Sequence, residues 1–131
     1  MLDVSAWKVV FIDDEPDNLG VVQFILQFHN ASLRTAVDGM TGLQLLREEM
    51  PSFLLLDIQM PNMTGWEVIE VIRNEDILKG LPVIAVTAHA MNGDREKALR
   101  AGFDGYITKP ISAMTFINDI KSIIETRGRH E

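Results

Sequence analysis

The chain has 131 residues, of which 47% are hydrophobic and 24% are charged. These values are typical of one globular domain that buries its own core, and they argue against disorder. The formal net charge of -7 argues against direct binding to nucleic acid. The absence of cysteine excludes disulfides, thiol catalysis and thiolate metal sites.

The sequence lacks a signal peptide and any apolar stretch of the roughly 18 residues that cross a membrane. We therefore expect a single cytoplasmic domain over residues 1–131, without membrane insertion. Its core is expected to extend from about 8 to 125, with no effector domain.

Apolar strand patterns alternate with helical patterns along the chain. Strands are predicted at Lys8–Ile12, Ser32–Ala36, Leu54–Asp57, Pro82–Val86 and Tyr106–Thr108. Helices are predicted over about 16–29, from Asp38 to Met50, around Trp66 to Ile72, over about 90–101 and from Met114 to Ile124. Met50 of the second helix and Met114 of the fifth are expected to point inward, and the thinly apolar fourth helix is expected to rest on Met91, Ala98 and Leu99. Strands 1, 3 and 4 are apolar throughout, which is typical of strands covered on both faces, whereas strands 2 and 5 resemble edges.

This alternation predicts an α/β fold, with a doubly wound parallel sheet of five strands and helices on both faces. The order 2-1-3-4-5, as in flavodoxin-like folds, places the buried strands at the centre of the sheet. Ligands bind such sheets at the carboxyl ends of the strands, near the switch point between strands 1 and 3.

Polar side chains follow four of these strands. Asp13 and Asp14 follow strand 1, Asp57 ends strand 3, Thr87 follows strand 4 and Lys109 follows strand 5. Three neighbouring carboxylates repel one another unless a cation neutralises them, and oxygen ligands suit Mg²⁺ or Mn²⁺. Together with an ammonium and a hydroxyl group, they indicate phosphoryl transfer. Because no glycine-rich nucleotide loop is present, a carboxylate that takes the phosphoryl group from another protein or a small donor fits better than bound ATP.

Four motifs in order resemble the CheY-like receiver domain of two-component response regulators. They are Val9-Val10-Phe11-Ile12-Asp13-Asp14-Glu15, Leu56-Asp57-Ile58-Gln59-Met60-Pro61-Asn62-Met63-Thr64-Gly65, Pro82-Val83-Ile84-Ala85-Val86-Thr87-Ala88 and Gly105-Tyr106-Ile107-Thr108-Lys109-Pro110. The resemblance covers about residues 8 to 125 and implies a stand-alone response regulator.

The resemblance also implies a role for each site residue. Asp57 would accept a phosphoryl group from the phosphohistidine of a histidine kinase or histidine phosphotransferase. Asp14, Asp57 and the main-chain carbonyl of Gln59 would ligate Mg²⁺, with Asp13 acting through a water molecule. Lys109 would pair with the phosphoryl group, and a cis Lys109–Pro110 peptide would direct its ammonium into the site. Thr87 and Tyr106 would move and remodel the face of helix 4, strand 5 and helix 5 for a downstream protein.

On this interpretation the chain is a signalling module that phosphorylates and dephosphorylates itself, rather than a turnover enzyme. It would be a monomer or a weak, phosphorylation-dependent dimer. Three alternatives remain open: an aspartyl phosphohydrolase, a flavin carrier and a receiver from a hybrid histidine kinase. Gln59 stands where the phosphohydrolase would have a second acid, and three acids replace the flavin carrier's phosphate loop.

Several apolar residues remain after the inward helix faces have been assigned. In helix 1 these are Val21, Phe24 and Phe28, and in helix 5 Phe116 poses the same question. They are either extra core or contacts for a partner. Glu15 is either a further metal-site acid or a favourable charge in the first helical turn, and His89 is expected at the surface, beside the site.

Overall fold

The structure is a computed structural model, and it describes residues 3–88 and 93–127. A 3-10 turn at Val4–Ala6 precedes the first strand. The other elements are β1 (Lys8–Ile12), α1 (Pro16–Phe28), β2 (Ser32–Ala36), α2 (Gly39–Glu48), β3 (Phe53–Asp57), α3 (Gly65–Asn74), β4 (Val83–Thr87), α4 (Asp94–Ala101), β5 (Gly105–Thr108) and α5 (Phe116–Arg127). The predicted alternation of strands and helices is confirmed.

All neighbouring strands are parallel, and their order is β2-β1-β3-β4-β5. The predicted topology is therefore correct. Ile12 of β1 lies opposite Leu56 of β3, and Leu56 lies opposite Ala85 of β4. This register brings the carboxyl ends of the three central strands to one edge of the sheet, which is where ligands bind in this architecture.

The sheet has a hydrophobic core on each face, because successive side chains of a strand point to opposite sides. On one face, Val10, Leu54, Leu56 and Ala85 pack with α2, α3 and α4. On the other face, alternating strand residues pack with α1 and α5; these are Val9, Phe11, Phe53, Leu55, Ile84, Val86 and Ile107. This burial on both faces explains the uninterrupted apolar sequence of β3.

Local signals in the sequence explain where the helices begin. Pro16 occupies the first turn of α1. Asp38 accepts a hydrogen bond from the Thr41 amide at 2.7 Å and so caps α2. Thr64 and Glu67 form a reciprocal capping box at the start of α3. In α4, Ala98 is the buried residue, so this helix has a small apolar contact with the rest of the fold.

The phase of the last helix differs from the prediction. In the described residues α5 begins at Phe116, and Met114, which was expected to point inward, is 91% exposed. Phe116 is only 1% exposed and packs in the core that α1 and α5 form with the sheet. Its prediction as a partner-binding residue was therefore wrong, because the first turn of α5 points this ring towards the sheet.

Smaller differences concern helix ends. Met50 and Leu99 were expected to point inward, but both are exposed. Helix α1 ends at Phe28, one residue earlier than predicted, and His29 occupies its C-cap position. Met91, which was expected to anchor α4, lies outside the described residues.

The end of the sheet opposite the carboxyl ends is held by a charged cluster. Asp104 forms ion pairs with Arg73 of α3 at 3.1 Å and with Arg127 of α5 at 3.0 Å. It also accepts a hydrogen bond from the Val83 amide at 2.8 Å. These contacts connect α3, α5 and the starts of β4 and β5 far from the strand ends that carry the acids.

Candidate functional site

The strand ends bring the predicted acids together. Asp13 and Asp14 follow β1, and Asp57 is the last residue of β3. Carboxylate oxygens from these three residues lie within 4.8 Å of one another. Asp13 and Asp57 are buried, whereas Asp14 is partly exposed. The cluster predicted from the motifs thus exists as a compact group with its open side at Asp14.

Lys109 follows β5 and directs its ammonium towards the two buried acids. Its Nζ lies 2.9 Å from Asp13 Oδ2 and 3.5 Å from Asp57 Oδ1. Burial alone would lower the pKa of Lys109, but its hydrogen bond to Asp13 and the charges of Asp57, Asp13 and Glu15 more than offset this effect and raise it. The lysine is therefore held in its charged form beside the acids. The Lys109–Pro110 peptide is cis, as the resemblance implied.

The surroundings of Asp57 disfavour the ionised form of its carboxyl group. Burial and the neighbouring charge of Asp13 raise its pKa to about 6, and they outweigh the charge of Lys109 and a hydrogen bond from the Gln59 amide. That amide lies 3.2 Å from Asp57 Oδ1. Asp57 is thus a buried acid whose ionised form needs more positive charge than Lys109 alone provides.

The donor set fits a divalent cation with a preference for oxygen ligands. Three carboxylates outnumber the single ammonium that contacts them in the described residues. A cation at this position would neutralise the excess negative charge and lower the pKa of Asp57. All the acidic donors are oxygens, which favours Mg²⁺ or Mn²⁺ over softer metals.

The remaining predicted residues lie around this cluster. Gln59 is exposed and lies two residues after Asp57. Its main chain borders the acids, because its amide donates a hydrogen bond to Asp57 Oδ1. Thr87 is buried at the end of β4, and its carbonyl accepts a hydrogen bond from the Lys109 amide at 2.8 Å. Tyr106 is half-buried on β5, next to Ala85, and packs against the core on the α4 side. Burial and the charge of Asp94 raise the pKa of Tyr106.

Two predictions concern residues near the site. Glu15 is exposed and is not part of the acidic group, which favours its interpretation as a charge beside the first turn of α1. His89 lies outside the described residues, so its expected surface position stays a prediction. Gly65, to which the sequence assigned no role, lies against the Asp57–Ile58 main chain. The only sequence signal for it was its place at the end of the motif that begins with Leu56 and Asp57.

Val21, Phe24 and Phe28 are exposed on α1, which rules out their interpretation as extra core. Phe24 and Phe28 are 71% and 77% exposed, values that are high for phenylalanine in a folded domain. The three residues follow one another at helical spacing, and we call them the α1 patch. It extends along the helix that begins at Pro16, directly after the acids of β1.

A parallel sheet of order 2-1-3-4-5 with three acids, a threonine and a lysine at its carboxyl edge defines a class of signalling protein. The family model of the response regulator receiver domain matches residues 9–121, and the chain belongs to this family. It is a phosphoacceptor domain of two-component signalling, a class that interacts with histidine kinases or phosphotransferases and with downstream targets.

Individual relatives agree with this assignment. The chain is 37% identical to the polar-differentiation response regulator DivK of Brucella anthropi over 117 residues, which cover 89% of this chain and 95% of the relative. It is 26% identical to a CheY-like receiver domain protein of Methanospirillum hungatei, with a TM-score of 0.82 and coverage of 96% of this chain and 99% of that structure. Chemotaxis protein CheY4 of Vibrio cholerae shares the fold with a TM-score of 0.83 at 24% identity, covering 90% of this chain and 98% of its own.

No helix within residues 3–88 and 93–127 has the length and apolar character needed to cross a membrane.

Proposed function

We propose that Asp57 is the phosphoacceptor of this receiver domain and that it reacts with a phosphohistidine in a Mg²⁺-dependent step. Asp14, Asp57 and the Gln59 main-chain carbonyl would hold the ion, with Asp13 acting through a water molecule and Mn²⁺ as an alternative metal. The observation that carries this proposal is the position of Asp57. It is a buried acid at a strand end, with two further acids within 4.8 Å and Lys109 at 3.5 Å.

The reaction requires a carboxylate that is ionised and open on one side. One oxygen of Asp57 forms a bond to phosphorus, while the bond between phosphorus and the donor's histidine nitrogen breaks and its electron pair leaves with the ring. A bound Mg²⁺ would neutralise charge on the phosphoryl oxygens. Lys109 provides a fixed positive charge at the same place, since Asp13 already holds its ammonium at 2.9 Å.

Thr87 and Tyr106 are proposed to report the new charge. A phosphoryl group adds negative charge and acceptor oxygens at Asp57, which favours a conformation in which the Thr87 hydroxyl donates to it. The small apolar contact of α4 makes the face of α4, β5 and α5 the part of the fold that such a movement changes most easily. This face would then bind a downstream protein.

The domain is proposed to be a switch rather than a turnover enzyme. Water would attack the phosphoryl group, break its bond to Asp57 and restore the carboxylate. We also propose that the domain acts in the cytoplasm as a monomer or a weak, phosphorylation-dependent dimer.

The proposed chemistry can be tested with acetyl phosphate as the donor. The wild-type protein is expected to gain one phosphoryl group in Mg²⁺ and to react far more slowly in EDTA. Asp57→Asn should gain none, whereas Asp38→Asn, which alters the cap of α2 and is not part of the acidic group, should react like the wild type. Equal labelling of the wild type and Asp57→Asn would contradict the proposal.

The α1 patch is proposed to bind the helix that carries the donor histidine. It is apolar, it is exposed, and the helix that bears it begins next to the acids of β1. A partner helix lying along α1 would therefore bring its side chains to the mouth of the site, in the manner of other helix-in-groove contacts.

Replacing Phe24 tests this surface separately from the chemistry. Phe24→Ala should slow transfer from a phosphorylated histidine phosphotransferase by about tenfold, which corresponds to the loss of roughly 1.4 kcal/mol of contact energy. Its reaction with acetyl phosphate should not change. Ile77→Ala is the matched control, because Ile77 is 75% exposed and lies outside the patch. Equal rates of protein-dependent transfer for both variants would refute the docking role of the α1 patch.

A further inference from the structure

Gly65 is the first residue of α3, and its position leaves no room for a side chain. A Cβ atom there would lie 2.5 Å from the Asp57 carbonyl oxygen, 2.6 Å from the Ile58 Cα and 3.1 Å from the Asp57 carbonyl carbon. All three atoms belong to the main chain of the proposed phosphoacceptor and its neighbour. A substitution can therefore be accommodated only if this main chain or the start of α3 moves.

The other close-packed glycines that the structure describes are different. A Cβ atom at Gly42 would meet the side chain of Ile12, and one at Gly105 would meet the side chain of Ile123, 2.4 Å from its Cγ2. A methyl group at either position would overpack an isoleucine side chain and cost stability, but it would not press on the main chain of Asp57. Among the described glycines, Gly65 is distinct because its contact is with the Asp57–Ile58 peptide.

Hydrogen bonds hold the start of α3 in this position. The Gly65 amide donates to the Ile58 carbonyl at 2.8 Å. Thr64 and Glu67 close the first turn of α3 with their capping box, in which the Thr64 amide donates to Glu67 Oε1 at 3.1 Å. The hydrogen bond from Gly65 thus joins the start of α3 to the main chain directly after Asp57, and the capping box holds the first turn of the helix in place.

We propose that Gly65 is a positioning residue for phosphoryl transfer. By letting α3 lie directly on the Asp57–Ile58 peptide, it fixes the direction in which the Asp57 carboxylate leaves β3. It also fixes the main chain at Gln59, whose amide donates to Asp57 Oδ1 at 3.2 Å. This inference rests on the proposed function, because it concerns the geometry of the same acid and of the main chain proposed to bind Mg²⁺.

The test compares Gly65→Ala with Gly105→Ala, since both add one methyl group to a crowded site. Gly105 begins β5, at the end of the sheet opposite the acids. Both variants should lose stability to urea. Only Gly65→Ala should lower the rate of labelling by acetyl phosphate at saturating donor, by about tenfold or more, because small misplacements of a reacting group have large effects on rate. Its affinity for Mg²⁺, measured by titration calorimetry, should fall as well.

Wild-type rate and Mg²⁺ affinity in Gly65→Ala would overturn the inference, as would equal losses in both variants. If Gly65→Ala does not fold, Thr64→Ala loosens the same turn without adding volume, and Asp38→Ala removes the corresponding cap of α2. Slower labelling in Thr64→Ala alone supports the inference, and equal rates in these two variants refute it. Failure of the proposed function would look different, because Asp57→Asn would then be labelled like the wild type.

Discussion

At the scale of single residues, the site contains more negative than positive charge, and a bound cation would restore the balance. Lys109 contacts Asp13 and Asp57, but Asp57 still has a pKa of about 6 because it is buried beside Asp13. The folded protein therefore tolerates an unfavourable negative charge at the position proposed to accept the phosphoryl group. Arrangements of charge that lower the stability of the fold in this way are common at functional sites.

Removing this charge should stabilise the metal-free protein. The pKa of Asp57 is about 6 in the folded state and 3.8 ordinarily, so the folded protein binds the proton more tightly between these two values. Stability therefore falls as the pH rises through this window, and the penalty is complete above it. In EDTA at pH 7, Asp57→Asn should raise the free energy of unfolding by roughly 1–3 kcal/mol.

Urea denaturation at several pH values measures this effect. The advantage of Asp57→Asn should disappear near pH 4, where the wild-type carboxyl group is protonated in the folded state. An advantage of the same size at pH 4 and pH 7 would mean that the charge of Asp57 is not its cause.

At the scale of single elements, the strands could be predicted more accurately from the sequence than the residues that each helix points towards the core. The central strands β1, β3 and β4 are apolar up to the polar residues at their carboxyl ends, so both their identity and their burial could be predicted. Helix α5 begins at Phe116 and not at Met114, so the face that it buries includes Phe116 together with Ile120. The sequence left Phe116 open between core and partner contact, because the start of the helix decides which of its residues point inward. The contact of Gly65 with Asp57 is tertiary, and no sequence pattern specifies it.

Helix α1 carries a glycine that its packing does not require. Gly20 lies inside the helix, and a Cβ atom there would have no neighbour within 4 Å. Gly20→Ala should raise the free energy of unfolding by about 0.5–1 kcal/mol, because alanine loses less conformational entropy in a helix. Gly80→Ala is the control, since it also has open space but lies in a loop. Chemical denaturation of both variants decides the point, and a destabilised Gly20→Ala would show that this position has a packing role after all.

At the scale of the whole molecule, the Asp104 ion pairs and the candidate functional site lie at opposite ends of the sheet. The Asp104 cluster ties together one end of the sheet, and the opposite end gathers the acids, the lysine and the threonine. The sequence predicted this gathering because parallel strands place their carboxyl ends on one edge. It could not predict distances, and these are what show that Lys109 lies closer to Asp13 than to Asp57.

Metal binding should stabilise the entire domain, because the acids come together only in the folded state. Above the dissociation constant, each tenfold increase in Mg²⁺ should add about 1.4 kcal/mol to the free energy of unfolding. Thermal unfolding is expected to shift upwards in Mg²⁺ and to return in EDTA. Asp14→Asn should reduce the shift, and sodium chloride at matched ionic strength should not reproduce it. A shift of equal size with sodium chloride would indicate general screening of the net charge of -7 instead.

The proposed role of Asp57 is tested most directly by identifying the residue that carries the phosphoryl group. Borohydride reduces an aspartyl phosphate to homoserine, which peptide mass spectrometry locates in the sequence. After reaction with acetyl phosphate and Mg²⁺, we expect homoserine at position 57 of the wild-type protein and at no position of Asp57→Asn. Homoserine at position 13 or 14, with Asp57 unmodified, would show that Asp57 is not the phosphoacceptor.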